Sequence, residues 1–149
     1  MTESPQTVEQ ILKSEGKYVS TTVGTSMLPL FRNRRDTVVI RPVTEPLKKY
    51  DVPLYRRGDK LILHRIVAIN NNGYIICGDN CENNEYDITD ENIIGIMSEF
   101  YRNDKHYTIS HKGYILYSKV HVFLYPLRKV IMTLRRFAAK AYRRVFPKK

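Results

Sequence analysis

The spacing of hydrophobic residues along the chain changes twice. Residues 7–14 have apolar side chains at helical spacing, and Thr7 with Gln10 matches an N-terminal capping box, so we expect a short helix here. Short runs rich in valine, isoleucine and tyrosine then alternate with turn residues, which predicts a β domain over residues 18–110. From Tyr117 onward the apolar residues recur at spacings of three and four, which indicates a helical C-terminal region.

The strands predicted for the β domain are short and separated by turns. Residues 60–76 have the pattern of a hairpin, with the turn Asn70–Gly73 at its tip. We therefore expect a mainly β fold, with a short helix before the β domain and a basic amphipathic helix after it. The β-prone runs are 37–41, 51–56, 60–69, 73–78, 93–102 and 106–110.

The C-terminal apolar stripe contains a proline that divides it. Pro126 has no backbone N–H and fits best in the first turn of a helix, so we expect a second helix over about residues 126–145. Lysines and arginines occupy most of the positions between the apolar residues. The stripe consists of Tyr117, Val120, Leu124, Leu127, Ile131, Leu134, Ala138, Ala141 and Val145.

The positive charge of the chain is concentrated in this helical region. The 149 residues carry a formal net charge of +10. Residues 105–149 hold 12 of the 25 lysines and arginines and no aspartate or glutamate, so the rest of the chain is close to neutral. We therefore divide the chain into a β domain with its N-terminal helix, residues 1–110, and a basic amphipathic tail, residues 111–149.

Several classes of protein are disfavoured by the sequence. The N-terminus lacks the basic and apolar regions of a secretory signal, and no run reaches the roughly 18 apolar residues of a membrane-spanning helix. Cys77 and Cys81 are interpreted as free thiols in a reducing compartment, and no second cysteine or histidine pair completes a metal site with them. We expect a cytoplasmic protein, peripheral on a membrane at most, with no metal and no cofactor.

Three segments contain the candidate catalytic residues. Ser26 lies in the run GTSMLP, His64 lies in LILHRIV, and Asp79 lies in the turn CGDN. A serine hydroxyl needs an adjacent base to act as a nucleophile at neutral pH, and a histidine with an ordinary pKa of about 6.5 can be that base. A carboxylate on the far ring nitrogen would fix the tautomer of the imidazole. These three residue types are therefore suited to acyl transfer.

In this order and spacing, the three segments resemble the signal peptidase and LexA-like serine peptidase superfamily. They are most similar to the endoplasmic-reticulum and archaeal type of signal peptidase I, in which histidine replaces the lysine base of the bacterial enzymes. The resemblance covers about residues 18–100 and implies the irregular coiled β domain of that superfamily. It implies a serine endopeptidase that cleaves a leader or signal-like peptide, with Ser26 as nucleophile, His64 as base and Asp79 as the residue that orients His64.

The same resemblance implies roles for further residues. The backbone N–H of Ser26 would supply half of an oxyanion hole, whereas the serine that often completes the hole in the relatives is replaced by Gly24. Eukaryotic relatives carry a further aspartate six residues after the G-D-N one, so Glu85, at that position, and Asp87 are the candidate accessory acids. The residues that support the motifs structurally are Gly24, Met27, Pro29 and Arg65.

Each candidate catalytic residue also has an ordinary structural role as its alternative. Ser26 could be a turn hydroxyl, His64 a buried strand residue, and Asp79 a turn carboxylate that bonds its own backbone. Two rival functions follow. One is a non-catalytic peptidase-like module that binds peptides or membranes, and the other is a cytosolic maturation or regulatory protease.

The basic tail also has more than one interpretation. The N-terminal membrane anchor of signal peptidases has no counterpart in this sequence, and an apolar stripe flanked by lysines and arginines is typical of a helix that lies on an anionic membrane surface. The alternative is that the stripe packs against the β domain while the charges face solvent. Nucleic-acid binding is disfavoured, because no recognition motif accompanies the basic helix.

Overall fold

The computed structural model describes residues 6–145, in which nine strands form two antiparallel sheets beside three helices. The fold is mainly β, as the sequence predicts. The ends of the two predicted regions, 1–5 and 146–149, lie outside the described residues, as does the side chain of Val145. The helices are α1 (Val8–Glu15), α2 (Lys112–Phe123) and α3 (Tyr125–Val145). The strands are β1 (Tyr18–Thr21), β2 (Thr37–Arg41), β3 (Pro53–Arg57), β4 (Lys60–Leu63), β5 (Arg65–Asn70), β6 (Gly73–Cys77), β7 (Glu85–Ile88), β8 (Ile93–Arg102) and β9 (Lys105–Thr108).

The N-terminal helix α1 forms where its capping residues predict. The Thr7 hydroxyl accepts a hydrogen bond from the backbone N–H of Gln10, and the Gln10 side chain accepts one from the backbone N–H of Thr7. The helix ends at Gly16, which adopts the left-handed conformation at φ 69°. Leu12 packs into the core of the larger sheet. Local sequence is therefore enough to place this helix.

The strands form two antiparallel sheets of different size. The larger sheet has the order β1-β2-β8-β3-β4, with β9 also paired to β8, and the smaller sheet has the order β5-β6-β7. Strands β1 and β4 are therefore the two ends of the five-strand run. The strands predicted at 37–41 and 93–102 are confirmed with the same bounds. Strands β1 and β7 were not predicted.

The run at 60–69 is not the single strand that the sequence predicts. Strand β4 belongs to the larger sheet, where Leu63 pairs with Leu54 of β3. Strand β5 belongs to the smaller sheet, where Arg65 pairs with Cys77 of β6. His64 lies between them, at the point where the chain changes sheets. The apolar alternation continues across this point, so the pattern alone does not reveal the change of partner.

Two hydrophobic cores support the two sheets. Met27 and Phe31, from the loop after β1, pack with side chains of β2, β3 and β8 in the first core. The second core lies where β3 meets the smaller sheet, and it includes the fully buried Tyr55 and Ile66. Because burial of one large apolar side chain stabilises a fold by about 1.5–3 kcal/mol, Met27 anchors the loop next to Ser26 firmly.

The helices α2 and α3 follow one another with a single residue between them. The N–H of Leu124 bonds the carbonyl of Val120, and the N–H of Arg128 bonds the carbonyl of Leu124, so helical hydrogen bonding continues through the junction. Pro126 lies in the first turn of α3, as predicted. None of the helices within residues 6–145 is long and apolar enough to cross a lipid bilayer.

Candidate functional site

A pocket of about 650 Å³ contains two of the three candidate catalytic residues, Ser26 and His64, but not Asp79. Ser26, His64 and Glu85 all line it, together with Cys81. Both end strands of the larger sheet, β1 and β4, also contribute residues to its wall. The sheet therefore curls so that its two ends border one cavity, which Ser26, His64 and Glu85 line.

The loop that carries Ser26 is fixed on both sides of the serine. Gly24 adopts φ 97°, a conformation that favours glycine, and its N–H donates to the side chain of Asn33 at 2.9 Å. Met27 is buried in the first core, whereas Pro29 is exposed. The backbone N–H of Ser26 donates to no acceptor within residues 6–145. It is therefore available to a ligand in the pocket.

The turn at residues 78–80 holds the serine loop in place. The N–H of Asn80 donates to the carbonyl of Ser26 at 2.7 Å, and the Asn80 side chain donates to the carbonyl of Thr25 at 3.2 Å. Two of the three segments quoted from the sequence thus contact each other directly. Asn80 is a positioning residue that the sequence did not identify individually.

His64 is held by a tyrosine and a glutamate. Its Nδ1 atom lies 3.2 Å from the Tyr55 hydroxyl and 3.3 Å from Oε1 of Glu85. The Tyr55 hydroxyl donates its one proton to the same Glu85 oxygen at 2.8 Å. In the neutral ring Nδ1 must therefore be the donor toward Tyr55, and Nε2 carries the free lone pair. This is the tautomer that a general base toward serine requires.

Nε2 of His64 lies close to the serine loop. A Cβ atom placed on Gly78 would lie 3.0 Å from Nε2 of His64 and 2.7 Å from the carbonyl oxygen of Ser26. The imidazole and the Ser26 backbone therefore approach one point from two sides, and only a glycine leaves that point empty. Within the described residues no hydrogen bond joins the Ser26 hydroxyl to the ring, and such contacts often tighten only when substrate binds.

Burial and charge set the protonation of His64. The side chain is 8% exposed, and this burial lowers its pKa below the ordinary value of 6.5 because it disfavours the imidazolium. Glu85 opposes the shift, since a nearby carboxylate stabilises the charged ring. Arg57 also donates to Oε1 of Glu85 at 2.8 Å, which holds that carboxylate in place. His64 is therefore neutral, and available as a base, at neutral pH.

Asp79 occupies a different place from the one that the resemblance implies. Arg65 donates to both of its carboxylate oxygens, from Nε and from Nη2, at 2.8 Å each. The Tyr117 hydroxyl donates to the same carboxylate at 2.9 Å. Glu85, and not Asp79, therefore contacts Nδ1 of His64, and Asp79 binds Arg65 instead. The reason is competition, because a buried guanidinium binds a carboxylate through two hydrogen bonds.

The pair of Asp79 and Arg65 is almost fully buried. Burial alone would raise the pKa of Asp79, but the hydrogen bonds and charge of Arg65 outweigh it and lower the pKa. Arg65 also donates to Ser118 of α2 at 2.8 Å, and the ring nitrogen Nε2 of His121 lies 3.0 Å from the carbonyl of Asp79. The pair therefore joins the turn at 78–80 to α2.

The two candidate accessory acids, Glu85 and Asp87, differ in their position relative to the pocket. Asp87 is exposed and lies outside the pocket, while Glu85, two residues earlier on β7, lines it. Tyr55 and Arg57 were not assigned roles from the sequence. Tyr55 follows Leu54, which pairs with Leu63 next to His64, so knowledge of strand pairing would have been needed to find it.

Neither the protein-family models nor the curated proteins that were compared match this chain.

Proposed function

We propose that this protein is a serine endopeptidase, with Ser26 as nucleophile, His64 as general base and Glu85 as the carboxylate that orients His64. One observation carries the proposal. The contacts of Tyr55 and Glu85 leave the lone pair of His64 on Nε2, which lies close to the serine loop.

The first half of the reaction forms an ester. The Ser26 hydroxyl oxygen attacks the carbonyl carbon of the scissile peptide bond while Nε2 of His64 takes the hydroxyl proton. The carbonyl oxygen becomes an oxyanion, and the unpaired N–H of Ser26 donates to it. His64 then gives its proton to the departing amine, the C–N bond breaks, and the acyl group remains on Ser26.

The second half of the reaction restores the enzyme. Water enters in place of the amine, and Nε2 of His64 removes a proton from it as it attacks the ester. Collapse of the second oxyanion breaks the bond to Ser26, and the same proton returns to the serine oxygen. Glu85 stabilises the imidazolium that forms in both halves, because its carboxylate lies on Nδ1.

The shape of the pocket supports an extended peptide as the substrate. Strands β1 and β4 end the five-strand run and both border the pocket, so their outer edges are placed to bind a peptide as an added strand. Apolar side chains such as Leu54 and Leu63 also line the cavity and would receive small or apolar residues of that peptide. The role of a leader or signal-like peptide as substrate rests on the sequence resemblance.

The resemblance of the sequence to signal peptidases supports the same proposal. The S-M-x-P serine and the L-H-R-I-V histidine line one pocket, and the G-D-N turn contacts the serine loop. We also propose that the β domain of this chain has the coiled fold of the LexA and signal peptidase type. In this proposal Glu85, and not Asp79, orients His64. Glu85 occupies the position of the second acid in the eukaryotic relatives.

The experiment is cleavage of a diverse library of synthetic peptides, read by mass spectrometry. The wild-type protein is expected to cut a subset of peptides at reproducible bonds, and Ser26→Ala should cut none of them. A Thr25→Ala variant is the matched control, because it removes the neighbouring hydroxyl and should retain cleavage. A protein that binds peptides in this pocket without cutting any would instead be the non-catalytic module.

A further inference from the structure

The helices α2 and α3 present a continuous apolar stripe to solvent. Its residues recur at alternating spacings of four and three and run across the junction between the helices, and each is between 45% and 81% exposed. We call this set the outer stripe. It consists of Leu116, Val120, Phe123, Leu127, Val130, Leu134 and Phe137.

The opposite side of the same helices faces the β domain and contacts it through tyrosines and polar side chains, and Tyr114 of α2 is buried in the first core. On α2, Tyr117 and His121 reach Asp79. On α3, the Tyr125 hydroxyl donates to the carbonyl of Glu82, and Arg136 forms an ion pair with the Glu82 carboxylate at 3.1 Å. The helices therefore turn their tyrosines and polar side chains inward and the outer stripe outward. The alternative interpretation, in which the stripe packs on the β domain, is wrong for Leu127, Ile131 and Leu134, which are all exposed.

The charge of α3 is of one sign. It contains seven lysines and arginines and no acidic residue. Within residues 6–145, Arg136 is the one cation of these seven that pairs with a carboxylate. An apolar stripe bordered by unneutralised cations complements a bilayer surface, which offers acyl chains below and anionic headgroups beside them. The cations of α3 are Arg128, Lys129, Arg135, Arg136, Lys140, Arg143 and Arg144.

Other occupants of the outer stripe fit these features less well. A second copy of the chain would bring two strongly cationic helices together, and like charges repel. A nucleic acid would use the cations but would leave the apolar stripe in water. Of these three occupants, only a lipid surface uses both the apolar residues and the charge.

We propose that α2 and α3 lie in the plane of an anionic lipid bilayer, with the outer stripe buried at the boundary between headgroups and acyl chains. This proposal is independent of the peptidase reaction. Its consequence for the pocket follows from Glu82, which lines the pocket and contacts both Tyr125 and Arg136 of α3. A bilayer-bound α3 holds the pocket beside the membrane surface, where it meets peptides that are attached to or emerge from that surface.

Sedimentation with vesicles tests the proposal with the full-length protein. Binding is expected to vesicles that contain about one third phosphatidylserine, to be at least tenfold weaker with pure phosphatidylcholine, and to weaken as salt rises. The double variant Leu127→Gln with Leu134→Gln keeps the charge and changes exposed side chains, so it should fold normally and bind at least tenfold more weakly. Ile69→Gln changes an exposed apolar residue of β5 and should bind like the wild type.

A fluorescence experiment tests the orientation of α3. The chain contains no tryptophan, so Phe137→Trp places a single reporter on the outer stripe and Met132→Trp places one on the other side of the same helix. With anionic vesicles, emission from position 137 should shift to shorter wavelength and be quenched by brominated lipid, and emission from position 132 should not. Equal responses at both positions would contradict a helix lying in the membrane plane.

Three results would overturn the proposal. The first is a wild-type protein that does not bind anionic vesicles. The second is the glutamine double variant binding vesicles as tightly as the wild type, since the stripe would then have no part in binding. The third is an oligomer, or a complex with a short nucleic-acid duplex, that forms in place of vesicle binding. The oligomer would identify a second copy of the chain as the occupant of α3, and the complex would identify a nucleic acid.

Discussion

The Glu85 carboxylate lies 3.3 Å from Nδ1 of His64, on the side of the ring that faces away from the serine loop. Tyr55 completes the contact, because its hydroxyl lies between the two side chains and donates to Glu85. Asp79 is the more buried carboxylate and follows His64 more closely in sequence, yet its oxygens are taken by Arg65. The two acids therefore make different contacts, since Glu85 contacts His64 and Asp79 binds Arg65.

Replacement of Glu85 should damage catalysis far more than folding. Glu85→Gln keeps the size of the side chain and removes the charge that stabilises the imidazolium, so kcat/KM should fall by roughly 10²- to 10⁴-fold. The melting temperature should change little, because Glu85 is partly exposed. Kinetics on a cleavable peptide and thermal denaturation measure the two effects. Asp87→Asn is the control, since Asp87 lies outside the pocket and activity should be unchanged.

Replacement of Asp79 should damage folding first. Asp79→Asn leaves the buried guanidinium of Arg65 without its carboxylate, and loss of one partner of a buried ion pair costs about 3–5 kcal/mol of unfolding free energy. The pKa of Asp79 is lowered in the folded state, so its stabilising contribution is present above the ordinary value of 3.8 and is lost as the pH falls further. Denaturant titrations should therefore show a large difference from the wild type at pH 6 and a smaller one at pH 3. Equal differences at both pH values would contradict this role.

The pH dependence of activity should report the lowered pKa of His64. The base works as the neutral ring, so kcat/KM should rise as the pH increases through its pKa, with a midpoint below 6.5. Because Glu85 raises the pKa of His64, the residual activity of Glu85→Gln should have its midpoint at a still lower pH. A midpoint that is unchanged in this variant would show that Glu85 does not affect the pKa of the group that controls activity, and it would contradict the prediction.

Gly78 should tolerate no side chain. An added Cβ would lie 2.7 Å from the carbonyl oxygen of Ser26 and 2.6 Å from Sγ of Cys81, both closer than ordinary contacts allow. The backbone of Ser26 would have to move, and a displacement of about 1 Å in a catalytic group can cost roughly 10² in rate. Gly78→Ala should therefore lose activity, and adding Cys81→Ala should not restore it, because the clash with Ser26 remains. Restoration by Cys81→Ala would show that only the thiol was in the way.

Local features of the fold could be predicted from sequence, whereas features that depend on strand pairing could not. The cap formed by Thr7 and Gln10 and the position of Pro126 in α3 involve neighbours in the chain, and both were predicted. The break at His64 depends on which strands lie on either side of it. The choice between Glu85 and Asp79 depends in turn on where that break places the ring and on the competing charge of Arg65. The periodicity of the tail likewise predicted helix but not which face would point outward.

The most direct test of the central claim is a double-mutant comparison on one peptide that the wild-type protein cuts. Ser26→Ala, His64→Ala and the double variant are compared by kcat/KM, with circular dichroism to show that each is folded. Because the serine and its base act in the same step, each single variant should lose at least about 10⁴-fold, and the double variant should be little worse than either. Cleavage that persists in Ser26→Ala, or losses that multiply in the double variant, would contradict a mechanism in which His64 activates Ser26.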